Sequence, residues 1–482
     1  MIRKSIKRNY FYNLIYQMLL LIASLITTPY LSRILGARGI GTISYAESVV
    51  SYFTLFGTLG ITTYGQREIS YVQGSLEKRS QVFWNTKLLE ICTAGLALAA
   101  YLIYVPLQKN AAIFSVLMFN IIAVIADATW FFRGMEEFGI IVSRNILFKI
   151  ISITYIFIFI KDETDVVKYA FGLSFFLFLG NCSLWRYLFR YIKKVNLKNL
   201  HPFSNIRTVI SLFIPTIAIQ IYTVLDKTMI GVITQDAFEN GCYEQAIKIS
   251  KMLLTAVAAL GTVMIPRIGA LFQSDEIERV RELMYRGYRF VWFLGIPLCF
   301  GLIMISDNFV PWFFGRGYDK VIPLINILAF LILSIGINNV TGMQYLIPTK
   351  RQNLFTLTVI IGSCINLILN LILIHQYQSV GAAVASVIAE TVIAGVQLII
   401  VRKELSFWRI LKTGVNYYIS GLVMAGVLWI VRGCFFPSII HTLILMFIGM
   451  SSYSMMLIFL KDSFFIGNMK IILQKILMKV LR

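Results

Sequence analysis

The residues of this chain with chemistry to do are ionisable side chains set inside long apolar runs. Such a group in hydrocarbon costs at least about 2.5 to 3.5 kcal/mol, so each one faces water, finds a partner or snorkels to the headgroups. Glu47, Lys87, Glu90, Asp127 and Lys149 are placed this way, and so are Asp226, Lys227, Glu244, Lys248, Lys251 and Glu390. Glu244, Lys248 and Lys251 share one helical face, which fits either a wet cavity or snorkelling. Asp226 and Lys227 are neighbours that point about 100° apart on a helix, so one of them reaches another helix. Glu390 sits near mid-run with no basic residue close by, which makes it the best single candidate for a group that is protonated, cation-bound or paired across helices. Lys87 and Glu90, three apart, also fit a local pair near the headgroups. Lys149 also fits inward snorkelling.

The elements that must hold these groups are membrane spans. A spanning helix needs about 20 mostly apolar residues, and that rule predicts about fourteen spans, the first closing near Ser32 and the second opening at Gly41. The 482 residues are 58% hydrophobic and 14% charged, with a mean hydropathy of +0.77, values outside the soluble range. The excess of 44 Lys and Arg over 23 Asp and Glu gives +21, which basic loops facing a cytoplasm explain better than nucleic acid. That bias places both termini inside and makes the segment Pro29–Gly41 an outer turn, where Arg33 is either a rim cation or an interfacial arginine. The basic start runs into a stretch too long for a signal peptide, so it is expected to stay in the mature chain. Six scattered cysteines and three distant histidines argue against a disulfide framework or a metal site. No phosphate-binding loop or nucleophile elbow is present, and no outer loop is long enough to fold as a domain.

The fold class expected is an all-α polytopic membrane protein, divided as 1–190, an N-terminal lobe of six spans; 191–207, a basic linker; 208–402, a second lobe of six; 403–460, two peripheral spans; and 461–482, a basic amphipathic tail. Sliding the chain by 200 residues pairs Gly41 with Gly241, Ala46 with Ala246, Arg67 with Arg267 and Arg79 with Arg279, a faint internal repeat. Ser274–Arg289 and the tail from Met469 read as amphipathic helices on the inner surface. Trp130, Trp185, Trp292, Trp312 and Trp429 fall near span ends and read as interface anchors.

The stretch PYLSRILGARGIGTISYAESV from Pro29 is followed by TYGQREIS at Thr63–Ser70, LDKTMIG at Leu225–Gly231 and GCYEQAIKI at Gly241–Ile249. PRIGALF at Pro266–Phe272 and FGRGY at Phe314–Tyr318 complete the series. In order and spacing these resemble the polysaccharide-export branch of the MOP (MATE-like) superfamily, and within it the Wzx-type flippases of O-antigen and other repeat units. The resemblance implies two six-helix lobes around a central cavity plus two extra helices. It implies alternating-access translocation of an undecaprenyl-diphosphate-linked oligosaccharide across the bacterial inner membrane, coupled to H+ or Na+, with no cofactor. Lys248, Lys251, Lys227, Lys149, Lys87 and Arg33 are then the candidate cations for the diphosphate, and Glu390, Asp226, Glu47 and Asp127 the candidates for coupling or gating. Membrane lipids, a polysaccharide polymerase and a chain-length regulator are the partners it implies. A cation-coupled multidrug exporter of the same fold is the first alternative. A membrane-embedded glycan polymerase or ligase is the second, although such enzymes usually carry a sizeable outer loop.

Overall fold

The computed structural model describes residues 6–259 and 261–480, and every regular element among them is helical. The first half holds α1 (Ile6–Thr58), α2 (Ile61–Tyr71), α3 (Leu76–Tyr104), α4 (Ala111–Ala126), α5 (Thr129–Gly134), α6 (Phe138–Phe159), α7 (Val166–Leu188) and α8 (Ile206–Thr234). Then come α9 (Ala237–Ala258), α10 (Gly261–Gln273), α11 (Ile277–Phe314), α12 (Val321–Leu328) and α13 (Leu331–Asn338), which runs into a π-helical stretch, Asn339–Leu346. The chain ends in α14 (Gln352–Val401), α15 (Phe407–Lys412), α16 (Val415–Val431), α17 (Ile439–Phe459) and α18 (Ser463–Val480).

Ten helices among the described residues are long and apolar enough to cross a membrane, against the expected fourteen. Two of the ten are double-length. At 1.5 Å per residue, a helix of 53 or 50 residues runs to roughly 75–80 Å, more than twice the ~30 Å of hydrocarbon, so α1 and α14 each hold two expected spans. Each is divided at one residue with positive φ, Gly36 (φ 64°) in α1 and Gln378 (φ 54°) in α14. The expected thirteen-residue outer turn thus shrinks to one glycine. Glycine takes that φ without a Cβ penalty, and the helix resumes at Ala37.

By contacts the chain divides into two compact units, Met1–Gly241 and Cys242–Arg482. The boundary lies beyond the expected linker because α8 packs with the first six spans: Thr228 Oγ1 donates to Ser48 Oγ at 2.9 Å, and a Cβ on Gly231 would fall 2.2 Å from the Tyr45 ring. The linker itself is strapped to α3. Arg79 Nε donates to the Tyr191 carbonyl at 2.8 Å, the Lys193 amide donates to Ser80 Oγ at 2.9 Å, and the His201 amide donates to Asn85 Oδ1 at 2.7 Å.

The first unit also shows what the 200-residue echo is for. Built Cβ atoms would lie 1.7 Å from the Ala237 carbonyl at Gly41 and 1.9 Å from the Ala37 carbonyl at Gly241. Corresponding residues therefore meet reciprocally, backbone against backbone, where α1 and the start of α9 touch. Ala37 with Ala237 is a further matched pair.

The core of the second unit gathers Val280, Met284, Tyr288, Ile296, Leu346 and Tyr417. The segment expected as a surface helix, Ser274–Arg289, is instead mostly the opening of the 38-residue α11, and Val280, Met284 and Tyr288 are buried in that core. The two last spans, α16 and α17, pack on α11: Thr442 Oγ1 donates to Asn308 Oδ1 at 2.6 Å and the Tyr453 hydroxyl to the Phe293 carbonyl at 2.9 Å. In the tail, the side chains that would form the expected apolar face, Ile471, Ile472, Ile476 and Leu477, lie outside the described residues.

Candidate functional site

The site in the first unit is built on a broken helix. α4 stops at Ala126 and α5 starts at Thr129, so carbonyls near the break lose their helical donors. Side chains from other helices replace them. Asn181 Nδ2 donates to the Ala123 carbonyl at 2.8 Å, Trp185 Nε1 to Ala126 at 2.8 Å and Lys87 Nζ to Asp127 at 2.6 Å. This is how irregular backbone survives at membrane depth, and the lysine also places a positive charge at a helix C-terminus, where the dipole favours it.

Asp127 shapes the break, its Oδ1 accepting the Thr129 amide at 2.9 Å as in an Asx turn. Lys87, with no exposed surface, forms an ion pair of 2.7 Å with Glu90, which is 1% exposed. Trp130 Nε1 adds a hydrogen bond to the same carboxylate oxygen at 3.3 Å. Trp130 is therefore a core residue rather than the expected interface anchor, and its ring lies against Phe83 with centroids 5.4 Å apart. Trp292 is likewise buried, its Nε1 donating to the Ile410 carbonyl at 3.2 Å. Arg144 completes the network, donating to Asn181 Oδ1 at 2.6 Å and to Thr129 Oγ1 at 3.3 Å.

Beside this network lies a cavity of about 430 Å³, lined by Glu47, Ser51, Thr54 and Thr58 on α1, by Glu90, and by Asn120, Asp127 and Asn181. Positions 47, 51, 54 and 58 follow i, i+4, i+7, i+11, one polar stripe down a helix. The hydroxyls of Ser51, Thr54 and Thr58 donate to carbonyls of their own helix, which leaves lone pairs for the cavity. Formally, Glu47, Glu90 and Asp127 face Lys87 and Arg144, an excess of one carboxylate.

The second unit buries polar groups along a seam beside the π-helical stretch. Asn338 Nδ2 donates to the Glu390 carboxylate and to its carbonyl, Tyr288 and Thr341 share a hydroxyl bond of 2.7 Å, and Gln397 Nε2 donates to Thr358 Oγ1 at 3.1 Å. Gln344 Oε1 and Gln397 Oε1 are buried with no hydrogen-bond partner among the described residues. A π-helix within an otherwise α-helical span recurs at functional positions.

Of the residues expected from the sequence, Glu47 and Asp127 meet at the first-unit cavity, and Lys87 joins them through Glu90. Lys149 on α6 and Asp226 and Lys227 on α8 are half-buried in the same unit, and Arg33 is exposed one turn before the Gly36 break. Glu390 is buried in the second unit; there Lys248 is half-buried and Lys251 exposed on α9. Sequence reasoning missed Arg144, Asn120, Asn181 and the Ser51–Thr54–Thr58 stripe. The stripe was detectable, since small hydroxyls at helical spacing below Glu47 extend a polar face, whereas Arg144 passed for a loop residue ahead of the fifth span.

A helical bundle with a broken span and charged groups held inside apolar helices defines a polytopic membrane transporter. Residues 6–272, more than half of the chain, match the family described as "Polysaccharide biosynthesis protein", and the chain belongs to that family. It is 24% identical over 406 residues, 83% of this chain and 97% of the relative, to a "Putative O-antigen transporter" of Escherichia coli (strain K12). Its fold is similar to a structure titled "Lipid II flippase MurJ, inward closed conformation", at a TM-score of 0.68 and 16% identity, covering 94% of this chain and 99% of that one. It is also similar to an inward-facing multidrug resistance MATE family transporter of the MOP superfamily, at a TM-score of 0.65 and 12% identity, covering 84% and 98%.

Proposed function

We propose that this protein is a flippase that carries a lipid-linked oligosaccharide, the repeat unit of O-antigen or a related surface polysaccharide, across the membrane by alternating access. It is a transporter and not an enzyme. The observation that carries this reading is the family match over more than half of the chain, together with the near full-length likeness to a putative O-antigen transporter. The charged groups inside the apolar helices support it, because a diphosphate crossing hydrocarbon needs counter-charges along its path.

The finer reading is as follows. The lipid carrier is undecaprenyl diphosphate, the membrane is the bacterial inner membrane, and both termini face the cytoplasm, as the basic loops favour. Lys248, Lys251 and Lys227 meet the diphosphate, with Lys149, Lys87 and Arg33 adding to the field. H+ or Na+ drives the cycle through carboxylates, with the first-unit cavity around Glu47 and Asp127 and the buried Glu390 as coupling sites. The cycle alternates between inward and outward openings, and the polymerase and chain-length regulator take the product on the far side.

The test is transfer of fluorescent undecaprenyl-diphosphate oligosaccharide between leaflets of proteoliposomes, with and without an ion gradient. Lys248→Ala combined with Lys251→Ala is expected to abolish surface polysaccharide while the protein still inserts; normal polysaccharide in that strain counts against the lysines. A second reading, a cation-coupled multidrug exporter, is favoured by the carboxylate excess of the first-unit cavity. Uptake of cationic dyes with no movement of lipid-linked sugar decides for it.

A further inference from the structure

A second cavity, of about 330 Å³, lies in the first unit where three turns meet: the start of α1 beyond Gly36, the corner Leu107–Asn110 after α3, and the Gln235 turn between α8 and α9. Part of its wall is aromatic. Tyr45 and Phe114 stand edge to face with centroids 6.2 Å apart. Its polar lining is amides, a hydroxyl, one lysine and one acid, among them Gln108, Lys109, Asp236 and Asn240.

Asn240 has no exposed surface, and its Nδ2 donates to the Lys227 carbonyl at 2.7 Å. That bond fixes which way the amide points, because a flipped amide would set two oxygens together. Asn240 lines the cavity, and its Oδ1, itself buried, is left without a hydrogen-bond partner among the described residues. A buried acceptor in that state calls for a donor that the chain does not supply, a water or a ligand hydroxyl. At the mouth Arg38 stands 3.9 Å from Asp236, and Lys109 donates to the Gln235 amide oxygen at 3.3 Å; the one lysine and the one acid of the lining cancel formally, so the cavity suits an uncharged ligand.

An uncharged ligand that offers hydroxyl donors and acceptors around its edge and a C–H face to an aromatic ring is a sugar. We propose that this cavity is a glycan subsite that seats one pyranose ring of the transported oligosaccharide. The ring lies against Tyr45 and Phe114, and one of its hydroxyls donates to Asn240 Oδ1. The inference rests on the flippase reading and adds to it a place, away from the diphosphate, where the sugar is held.

Saturation-transfer NMR on the full chain in nanodiscs tests it, with methyl glucoside, methyl galactoside and methyl N-acetylglucosaminide as probes and inorganic diphosphate as competitor. Transfer to the ring protons of at least one glycoside is expected, weakened about fivefold or more in Asn240→Leu and in Tyr45→Leu, and unaffected by diphosphate. Tyr45→Phe keeps the aromatic face and is expected to bind, which gives a readout should the leucine variants not fold. No transfer to any glycoside, equal transfer in the variants, or displacement by diphosphate overturns the subsite. Native protein that moves lipid-linked oligosaccharide yet binds no glycoside here leaves the flippase reading standing, while native protein that moves none removes that reading.

Discussion

Both units bury polar groups in an apolar bundle, and they do it with different chemistry. In the first, the network around the broken helix is built on charged groups. Lys87 holds Glu90 at 2.7 Å, Arg144 holds Asn181 at 2.6 Å, and the backbone is broken at Asp127 with its carbonyls taken up by side chains. In the second, apart from Glu390 and Asp462, the buried polar groups are amides and hydroxyls among the described residues. The backbone is widened to a π-helix at Asn339–Leu346 instead of being cut, and amide oxygens, on Asn338, Gln344 and Gln397 among others, stay without hydrogen-bond partners among the described residues. The difference teaches what each group costs to strand. A buried charge without its partner loses several kcal/mol, whereas a neutral amide loses about 1–3, so it is amide oxygens, Asn240 Oδ1 in the first unit included, that are left waiting for water or a ligand.

The largest effect that tests this contrast is Glu90→Ala, which strands Lys87 at zero exposure. It is expected to cost about 3–5 kcal/mol, seen as a steep loss of folded protein in thermal unfolding in detergent. Converting both partners, Lys87→Met with Glu90→Met, is expected to recover only part of that stability, because it also takes their partners from the Asp127 carbonyl and Trp130 Nε1. Full recovery would mean that the bond to the broken end of α4 contributes nothing.

Next comes Gly41→Ala, where the new methyl would stand 1.7 Å from the Ala237 carbonyl. The helices must part, at a cost of about 1–3 kcal/mol as in other overpacked cores. Cysteines placed at Ala37 and Ala237 are expected to cross-link in the native background and to lose that cross-link with Gly41→Ala.

A smaller, pH-dependent effect sits at the corner before α7. The Lys161 and Asp162 amides and Lys168 all donate to Asp165, with the Lys161 bond foremost, and together they hold its carboxyl down at about 2. A depressed folded-state value stabilises the folded form fully above the ordinary carboxylate range near 4, and that stability disappears as pH falls toward 2. Asp165→Asn is expected to be less stable at neutral pH and to flatten the acid limb between these values, read by tryptophan fluorescence across the pH range.

The smallest change is expected on the amide side of the comparison. Gln397→Met removes an oxygen without a hydrogen-bond partner together with a bond to Thr358 Oγ1, and Thr358 keeps its own donation to the Phe355 carbonyl. Its stability is expected to stay within about 1 kcal/mol of native. A loss as large as that of Glu90→Ala would erase the distinction between the two units.

The apolar runs, the basic loops and the isolated charges were legible in the chain itself, because hydrocarbon admits helices and penalises every unpaired charge whatever the fold around it. Glu47, Asp127 and Lys87 could be singled out on that ground alone. So could Gly41 with Gly241, although only as an echo between two stretches. Tertiary structure decided the rest. Partner choice depends on which helix lies beside which, so it alone set Lys87 against the broken end of α4, buried Trp130 on Phe83, and turned the paired glycines into a backbone contact. It alone made Ser274–Arg289 largely the start of a core helix, since an amphipathic pattern shows that one face is apolar without saying whether lipid or protein covers it.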